Sequence, residues 1–165
     1  MAAAMYLNNG FSSNLSSLQG LRVLVVDNNA DCCILLSLLL QWYGVEVQTA
    51  SSVKLALEIF EQWQPDVLVS DIAFPGEDGY ALIQQVRSKG GQGKLVLAIV
   101  VTGYDCENMS QRALRCGFDL WFTKPLDLDE CVAVLACLAT CQQPLYAIAQ
   151  GILGVPAHSE AIAIS

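Results

Sequence analysis

Five short strand-like runs alternate along the chain with longer segments that have the apolar spacing of helices, and this alternation limits the fold more than any other feature. The runs cover residues 22–27, 45–49, 67–70, 95–101 and 120–122. Residues 95–101 are seven apolar residues in succession, which is typical of a strand buried on both faces of a parallel sheet. We therefore predict an α/β fold in which a five-stranded parallel sheet carries helices on both faces.

Local signals place the helices between these runs. The helical segments cover residues 30–43, 53–63, 79–88, 105–116 and 128–138. Gly44 and Gly117 follow two of them, at the position where glycine commonly ends a helix. The serines at 51–52 offer an N-cap, and Asp127 with Glu130 resembles a capping box before the last helix.

The distribution of charge divides the chain into three parts. Residues 1–20 carry no charge and are expected to form a flexible leader, and residues 141–165 form an apolar tail with Glu160 as its only charge. Residues 21–140 hold all eight Lys and Arg and the other acidic residues. We predict that residues 21–140 are the folded domain.

Composition excludes several classes of function. A net charge of −8 repels a phosphate backbone, so we expect no binding to nucleic acid. The apolar stretch at residues 32–43 is too short to cross a bilayer, and the first residues lack the basic flank of a secretory signal. We therefore expect a cytoplasmic protein without membrane insertion.

The seven cysteines predict core packing rather than metal or disulfide chemistry. They include no C-x-x-C pair, and the only histidine, His158, stands in the tail. In a chain without an export signal the thiols are expected to stay reduced. Buried free thiols behave as small apolar side chains.

Polar residues follow four of the five predicted strands. Asp27 follows the first strand, Asp71 the third, Thr102 the fourth and Lys124 the fifth. The carboxyl ends of parallel strands lie at one edge of a sheet, so these side chains are expected to converge there. Two close carboxylates favour a hard cation such as Mg²⁺. A cation, an ammonium and a hydroxyl together suit the stabilisation of a phosphoryl group.

Five motifs in order give the chain a clear resemblance to a response-regulator receiver domain of two-component signalling, of the stand-alone, CheY-like type. The motifs are residues 23–27, residues 65–72, the P-G-x-D-G loop at 75–79, Val101-Thr102-Gly103 and Lys124-Pro125. The similarity covers about residues 21–138. It implies a flavodoxin-like, doubly wound sheet with strand order 2-1-3-4-5, and a proline after Lys124 that is held in the cis form.

The resemblance also implies a role for each residue of the site. Asp71 is the expected phosphoacceptor, and Lys124 is expected to pair with it and then with the phosphoryl oxygens. Asp27, Asp71 and the backbone carbonyl of Ala73 are the expected Mg²⁺ ligands. Thr102 is expected to hydrogen-bond the phosphoryl group.

Two positions depart from the family pattern. Trp121 stands where the family usually has a Tyr or Phe that moves inward with the switch hydroxyl, and simple core packing is an equal interpretation of it. Asn28 stands where most receivers have a second acid that touches the metal. Asparagine keeps a carbonyl oxygen but removes a negative charge, so Mg²⁺ binding is expected to be weaker.

The resemblance predicts a signalling protein rather than an enzyme, one that assists its own phosphorylation and dephosphorylation. We expect it to take a phosphoryl group from a sensor histidine kinase or a histidine phosphotransfer protein and to signal by protein contact or phosphorelay, with no output domain after residue 138. The alternative, raised by Asn28, is a pseudo-receiver that binds partners without phosphorylation. The first helix is too apolar to bury all its residues against one sheet. It therefore predicts a homodimer or partner face, or a surface covered by the tail.

Overall fold

The computed structural model describes residues 18–103 and 107–139. The strands are β1 Arg22–Val26, β2 Glu46–Ala50, β3 Val67–Ser70, β4 Ala73–Phe74, β5 Glu77–Asp78, β6 Leu97–Thr102 and β7 Leu120–Thr123. The helices are α1 Ala30–Trp42, α2 Val53–Trp63, α3 Gly79–Ser88, α4 Gln92–Leu95, α5 Glu107–Cys116 and α6 Leu128–Ala139.

Five strands form one sheet in the order β2-β1-β3-β6-β7, and every neighbouring pair is parallel. Counted within this sheet alone, the order is 2-1-3-4-5, which confirms the predicted topology. The two remaining strands, β4 and β5, pair antiparallel as a short hairpin directly after β3.

Alternate residues of the central strands supply two separate cores. Val23 and Val25 of β1 pack in a cluster with residues of α1 and α6, on one face of the sheet. Leu24 and Val26 of the same strand pack on the other face, in a cluster with residues of α2, α3 and α5. This alternation follows from the two-residue period of a strand, and it explains why residues 23–26 of β1 and 67–69 of β3 are apolar on both faces.

Helix caps match the local sequence signals. The Ser52 side chain accepts a hydrogen bond from the Leu55 amide at 3.2 Å, and Asp127 Oδ1 accepts one from the Glu130 amide at 3.0 Å. Gly44 follows α1 with φ of +82°, in the left-handed region that favours glycine. Helix α5 is described from Glu107, so residues 105 and 106 of the predicted helix lie outside the described residues.

The structure differs from the sequence-based prediction at two points. Residues 92–95 form the short helix α4, and the strand that was predicted from residue 95 begins at Leu97. Leu95 is therefore exposed rather than buried in the sheet. Leu18, which the sequence analysis placed in the leader, is fully buried in the core on the α1 side.

Helix α1 exposes several of its large apolar side chains. Ile34, Leu35, Leu38 and Trp42 are exposed, while Cys33, Leu36 and Leu40 face the core. Within the described residues, no helix has both the length and the apolar character needed to cross a bilayer. These exposed side chains thus form an apolar face on a helix of ordinary length.

Candidate phosphoacceptor site

The pairing of β1 with β3 brings two aspartates together at the edge of the sheet. Val26 and Ser70, the last residues of the two strands, are register partners, so Asp27 and Asp71 leave the sheet side by side. The Asp71 amide donates a hydrogen bond to the Val26 carbonyl at 2.9 Å. Both aspartates are buried, with 6% and 7% of their surface exposed.

Lys124, which directly follows the edge strand β7, contacts both of these carboxylates. Its backbone amide donates to the Thr102 carbonyl at 2.9 Å, which fixes the start of the segment after β7. Its Nζ donates to Asp71 Oδ2 at 2.8 Å and to Asp27 Oδ2 at 2.9 Å. The Lys124–Pro125 peptide bond is cis, as the resemblance implied.

The two carboxylates keep Lys124 charged. Burial by itself lowers the pKa of the ammonium, but the hydrogen bonds that it donates to Asp71 and Asp27, together with the negative charges of these carboxylates, outweigh burial and raise the pKa above its ordinary value. The site therefore holds one fixed positive charge between two negative ones, and it has an excess of negative charge available to a cation.

Backbone amides fix the orientation of the Asp71 carboxylate. Oδ1 accepts hydrogen bonds from the Ile72 amide at 2.6 Å and the Ala73 amide at 3.0 Å. The loop that supplies these amides passes so close to the start of α3 that a Cβ on Gly79 would collide with the Ile72 backbone. Gly79, the last residue of the P-G-x-D-G motif, is thus needed for the loop to hold Asp71 in place.

Asn29 contributes to the site although the sequence analysis did not select it. Its backbone amide donates a hydrogen bond to Asp27 Oδ1 at 2.8 Å. Its side-chain oxygen caps α1 by accepting hydrogen bonds from the backbone amides of Asp31 and Cys32. An asparagine just before an apolar helix is a recognisable N-cap signal. The hydrogen bond from its backbone amide to Asp27 depends on the conformation of the turn after β1, which the sequence pattern does not specify.

The other predicted site residues lie around this centre at different depths. Thr102 is buried at the end of β6, and Ala73 and Asn28 are exposed in the segments that follow Asp71 and Asp27. Trp121 lies on the edge strand β7 beside Val100 and is 39% exposed. Direct hydrogen bonds thus join Asp27, Asp71 and Lys124, and Thr102 is linked to them through its carbonyl.

The donor atoms at this edge fit a hard divalent cation. Carboxylate oxygens of Asp27 and Asp71, the side-chain carbonyl of Asn28 and the backbone carbonyl of Ala73 are all oxygen ligands of the kind that Mg²⁺ prefers. Among the residues that the structure describes, no group of three or more His, Cys, Asp or Glu side chains could hold a metal. Because Lys124 pairs with both carboxylates, the site offers such a cation one uncompensated negative charge.

None of the described cysteines belongs to a cluster of metal-binding side chains. Cys32, Cys33, Cys116 and Cys131 are free thiols. Burial, with a smaller effect from Glu130, raises the pKa of the Cys131 thiol to about 12, so this thiol is protonated and unreactive at neutral pH.

Comparisons with known proteins agree with this geometry. A family model described as the response regulator receiver domain matches residues 23–136. An uncharacterised 14.6 kDa protein of Leptolyngbya boryana is 39% identical over 127 residues, which cover 76% of this chain and 96% of that protein. Regulatory protein AtoC of Escherichia coli is 33% identical over 109 residues, 66% of this chain but only 23% of AtoC.

Solved structures show the same fold. The chemotaxis response regulator CheY4 of Vibrio cholerae matches with a TM-score of 0.66 and 26% identity, over 71% of this chain and 97% of that one.

Proposed function

The chain belongs to the response-regulator receiver domain family, and we propose that it accepts a phosphoryl group on Asp71 from a sensor histidine kinase or a histidine phosphotransfer protein. Receiver domains are signalling domains rather than metabolic enzymes. The observation that carries the proposal is the Lys124 ammonium, which lies within hydrogen-bond distance of both Asp71 and Asp27 at a buried edge of the sheet.

The proposed reaction is a transfer from nitrogen to oxygen. A carboxylate oxygen of Asp71 forms a bond to phosphorus as the bond between phosphorus and the donor imidazole breaks, and the imidazole leaves with its electron pair. The Ile72 and Ala73 amides hold the Asp71 carboxylate in a fixed orientation for this attack. Lys124 then pairs with the phosphoryl oxygens and offsets their charge.

Asp27, Asp71 and the Ala73 carbonyl would hold Mg²⁺ in this site. The ion, when bound, supplies positive charge next to the phosphoryl oxygens. Asn28 contributes an amide oxygen without a charge, so this protein needs more Mg²⁺ than a receiver with two successive acids.

Thr102 and Trp121 would convert phosphorylation into a change of surface. The Thr102 hydroxyl donates a hydrogen bond to a phosphoryl oxygen, and its loop moves inward. Trp121, half-exposed on the neighbouring strand β7, then changes its packing. We propose that a partner protein reads this edge, by contact or by onward phosphoryl transfer, in a stand-alone, cytoplasmic regulator. The free thiols of the described residues suit a reducing compartment.

Asn28 supports a second candidate function. With one acid fewer beside the cation, the fold would serve as a pseudo-receiver, a scaffold that binds partners without phosphorylation. The two functions differ in one property, which is whether Asp71 becomes modified.

Intact-mass measurement after incubation with acetyl phosphate, with and without Mg²⁺, separates the two. The wild type is expected to gain the mass of one phosphoryl group only with Mg²⁺, and Asp71→Asn is expected to gain none. Asp129→Asn, which removes an exposed acid at the start of α6, is the matched control and should behave as the wild type. A folded wild type that gains no mass at any Mg²⁺ concentration would support the pseudo-receiver.

A further inference from the structure

An open, largely apolar groove of about 500 Å³ lies beside the phosphoacceptor site. Asp27, Asp71 and Lys124 close one end of it. Its walls are formed by Cys32, Leu35 and Leu36 of α1 and by Pro125, Leu126 and Leu128 of the segment from β7 into α6. Because these apolar walls face water, their burial under an apolar occupant would be favourable.

The α1 wall of the groove is nearly free of charge, whereas the exposed Asp129 and Glu130 flank its α6 wall. Asp31 is the only charged residue of α1, and the exposed Ile34, Leu38 and Trp42 extend the apolar surface along this helix. The whole chain carries a net charge of −8, so this is an unusual patch. An uncharged apolar segment suits it better than a charged one.

Such a segment follows α6 in the same chain. Residues 140–165 lie outside the described residues, and Glu160 is their only charge. Their sequence includes two apolar groups, Leu145-Tyr146-Ala147-Ile148 and Ile152-Leu153. Composition therefore matches this segment to the groove.

The length of the connection also fits. Leu128, at the start of α6, lines the groove, and Ala139 ends the same helix. A helix of 12 residues is about 18 Å long. Six extended residues, 140–145, cover about 20 Å. The chain that leaves α6 can therefore return along the helix and bring Leu145 to the groove.

We propose that residues 145–153 dock in this groove. The docking itself depends only on the apolar walls and the apolar segment.

Cys32 provides a direct probe of the docking, because it is a free, half-buried thiol in the groove wall. Full-length protein is treated with iodoacetamide, and peptide fragmentation measures the labelling rate of each cysteine. In Leu145→Asp/Ile148→Asp the Cys32 rate is expected to rise about tenfold or more, since each lost Leu or Ile contact is worth at least that factor. Cys116 on α5, far from the groove in the fold, is the internal control and should not change.

A matched variant and a concentration series decide the outcome. Ile162→Asp/Ile164→Asp adds the same charges beyond the proposed segment and should leave Cys32 protected. Equal Cys32 labelling in the wild type and in Leu145→Asp/Ile148→Asp overturns the proposal. Protection that grows with protein concentration also overturns it, and assigns the groove to a second copy of the chain.

Leu35→Asp gives a second test from the groove side, should the tail variant fail to fold. Leu35 is 57% exposed, so the substitution leaves the core intact. It is expected to expose Cys32 to the same degree, and unchanged Cys32 labelling counts against the docking.

Phosphorylation by acetyl phosphate separates failure of the docking from failure of the proposed function. Protection of Cys32 without phosphorylation of either protein would overturn the proposed function and leave the docking in place. Phosphorylation of both proteins with equal Cys32 labelling would overturn the docking and leave the proposed function in place.

Discussion

The Lys124 ammonium lies 2.8 Å from Asp71 Oδ2, although 53 residues separate them in the chain. The same nitrogen lies 2.9 Å from Asp27 Oδ2, across 97 residues. One cation thus connects the carboxyl ends of β1, β3 and β7. This arrangement leaves one uncompensated negative charge, which is the electrostatic requirement for binding a further cation.

Replacing Lys124 by methionine should destabilise the fold. The change leaves two buried carboxylates side by side without their cation, and we expect a loss of about 2 kcal/mol in the free energy of unfolding at neutral pH. Urea denaturation of both proteins measures it. Lys54→Met removes an exposed lysine of α2 and should change the stability little.

The pH dependence of this difference gives a second check. The folded state raises the pKa of Lys124 above its ordinary value of 10.5. The stabilisation is therefore complete below that pH and is lost as pH rises through the folded-state pKa. The gap between wild type and Lys124→Met should stay constant from neutral pH to about pH 10 and shrink above it. A gap that is absent at neutral pH would contradict the pairing.

Asn28→Asp should strengthen the cation site. A second acid after β1 adds one negative charge next to the metal ligands, which at a few ångströms is worth about a fivefold to tenfold gain in affinity. The Mg²⁺ concentration that gives half-maximal phosphorylation measures it and should fall by that factor. Asn29→Asp is the control, because the side chain at position 29 caps α1 and should cap it equally well as aspartate. An equal response of both variants would show that position 28 has no special place in the site.

Substitution of Arg87 should lower the stability of the fold more than substitution of any other partly exposed residue. Its guanidinium donates to the carbonyls of Gly117, Gly93 and Val96 and pairs with the buried Asp119 at 2.8 Å. Arg87→Ala should cost about 3 kcal/mol or more, and Arg87→Lys should not restore it, because an ammonium cannot reproduce the fork of donors. Thermal and urea unfolding measure this.

Arg112→Ala is the comparison for Arg87. Arg112 stacks over the Tyr80 ring at 4.3 Å and lies 3.9 Å from Asp78, but it is largely exposed. Its loss should cost less than about 1 kcal/mol. Equal effects of the two alanine variants would contradict the structural role given to Arg87.

Trp121 should report phosphorylation by fluorescence. The chain has three tryptophans, so Trp42→Phe and Trp63→Phe leave Trp121 as the only indole. Addition of beryllofluoride and Mg²⁺, which mimic the phosphoryl group, should shift its emission to shorter wavelength and reduce its quenching by iodide. The same protein with Asp71→Asn should show no shift. An unchanged spectrum at saturating beryllofluoride would favour simple packing for Trp121.

The sequence predicted the main sheet because its signals are local. The bounds of β3, α2 and α3 follow from short apolar runs, a serine cap and turn residues, and the structure has them at the predicted positions. The meeting of Asp27, Asp71 and Lys124 could be anticipated for a different reason. Parallel strands have their carboxyl ends at one edge, so topology alone places these residues together.

Other features depend on contacts that no local pattern encodes. Leu95 continues an apolar run, but Gly90 and Gly91 turn the chain with positive φ and a helical turn precedes the strand. The β4–β5 hairpin has strands of two residues, too short for any periodicity. The Arg87–Asp119 pair joins residues 32 apart, and only the folded arrangement of α3 and the residue before β7 reveals it.

The most direct test of the account is the position of the phosphoryl group, because Asp27 and Asp71 share one ammonium and both face the same edge of the sheet. Borohydride reduces an acyl phosphate to an alcohol and so marks the modified aspartate for peptide mass mapping. After treatment with acetyl phosphate and Mg²⁺, the mark should fall on Asp71 and be absent without Mg²⁺. A mark on Asp27, or phosphorylation that leaves Asp71 unmarked, would contradict the account.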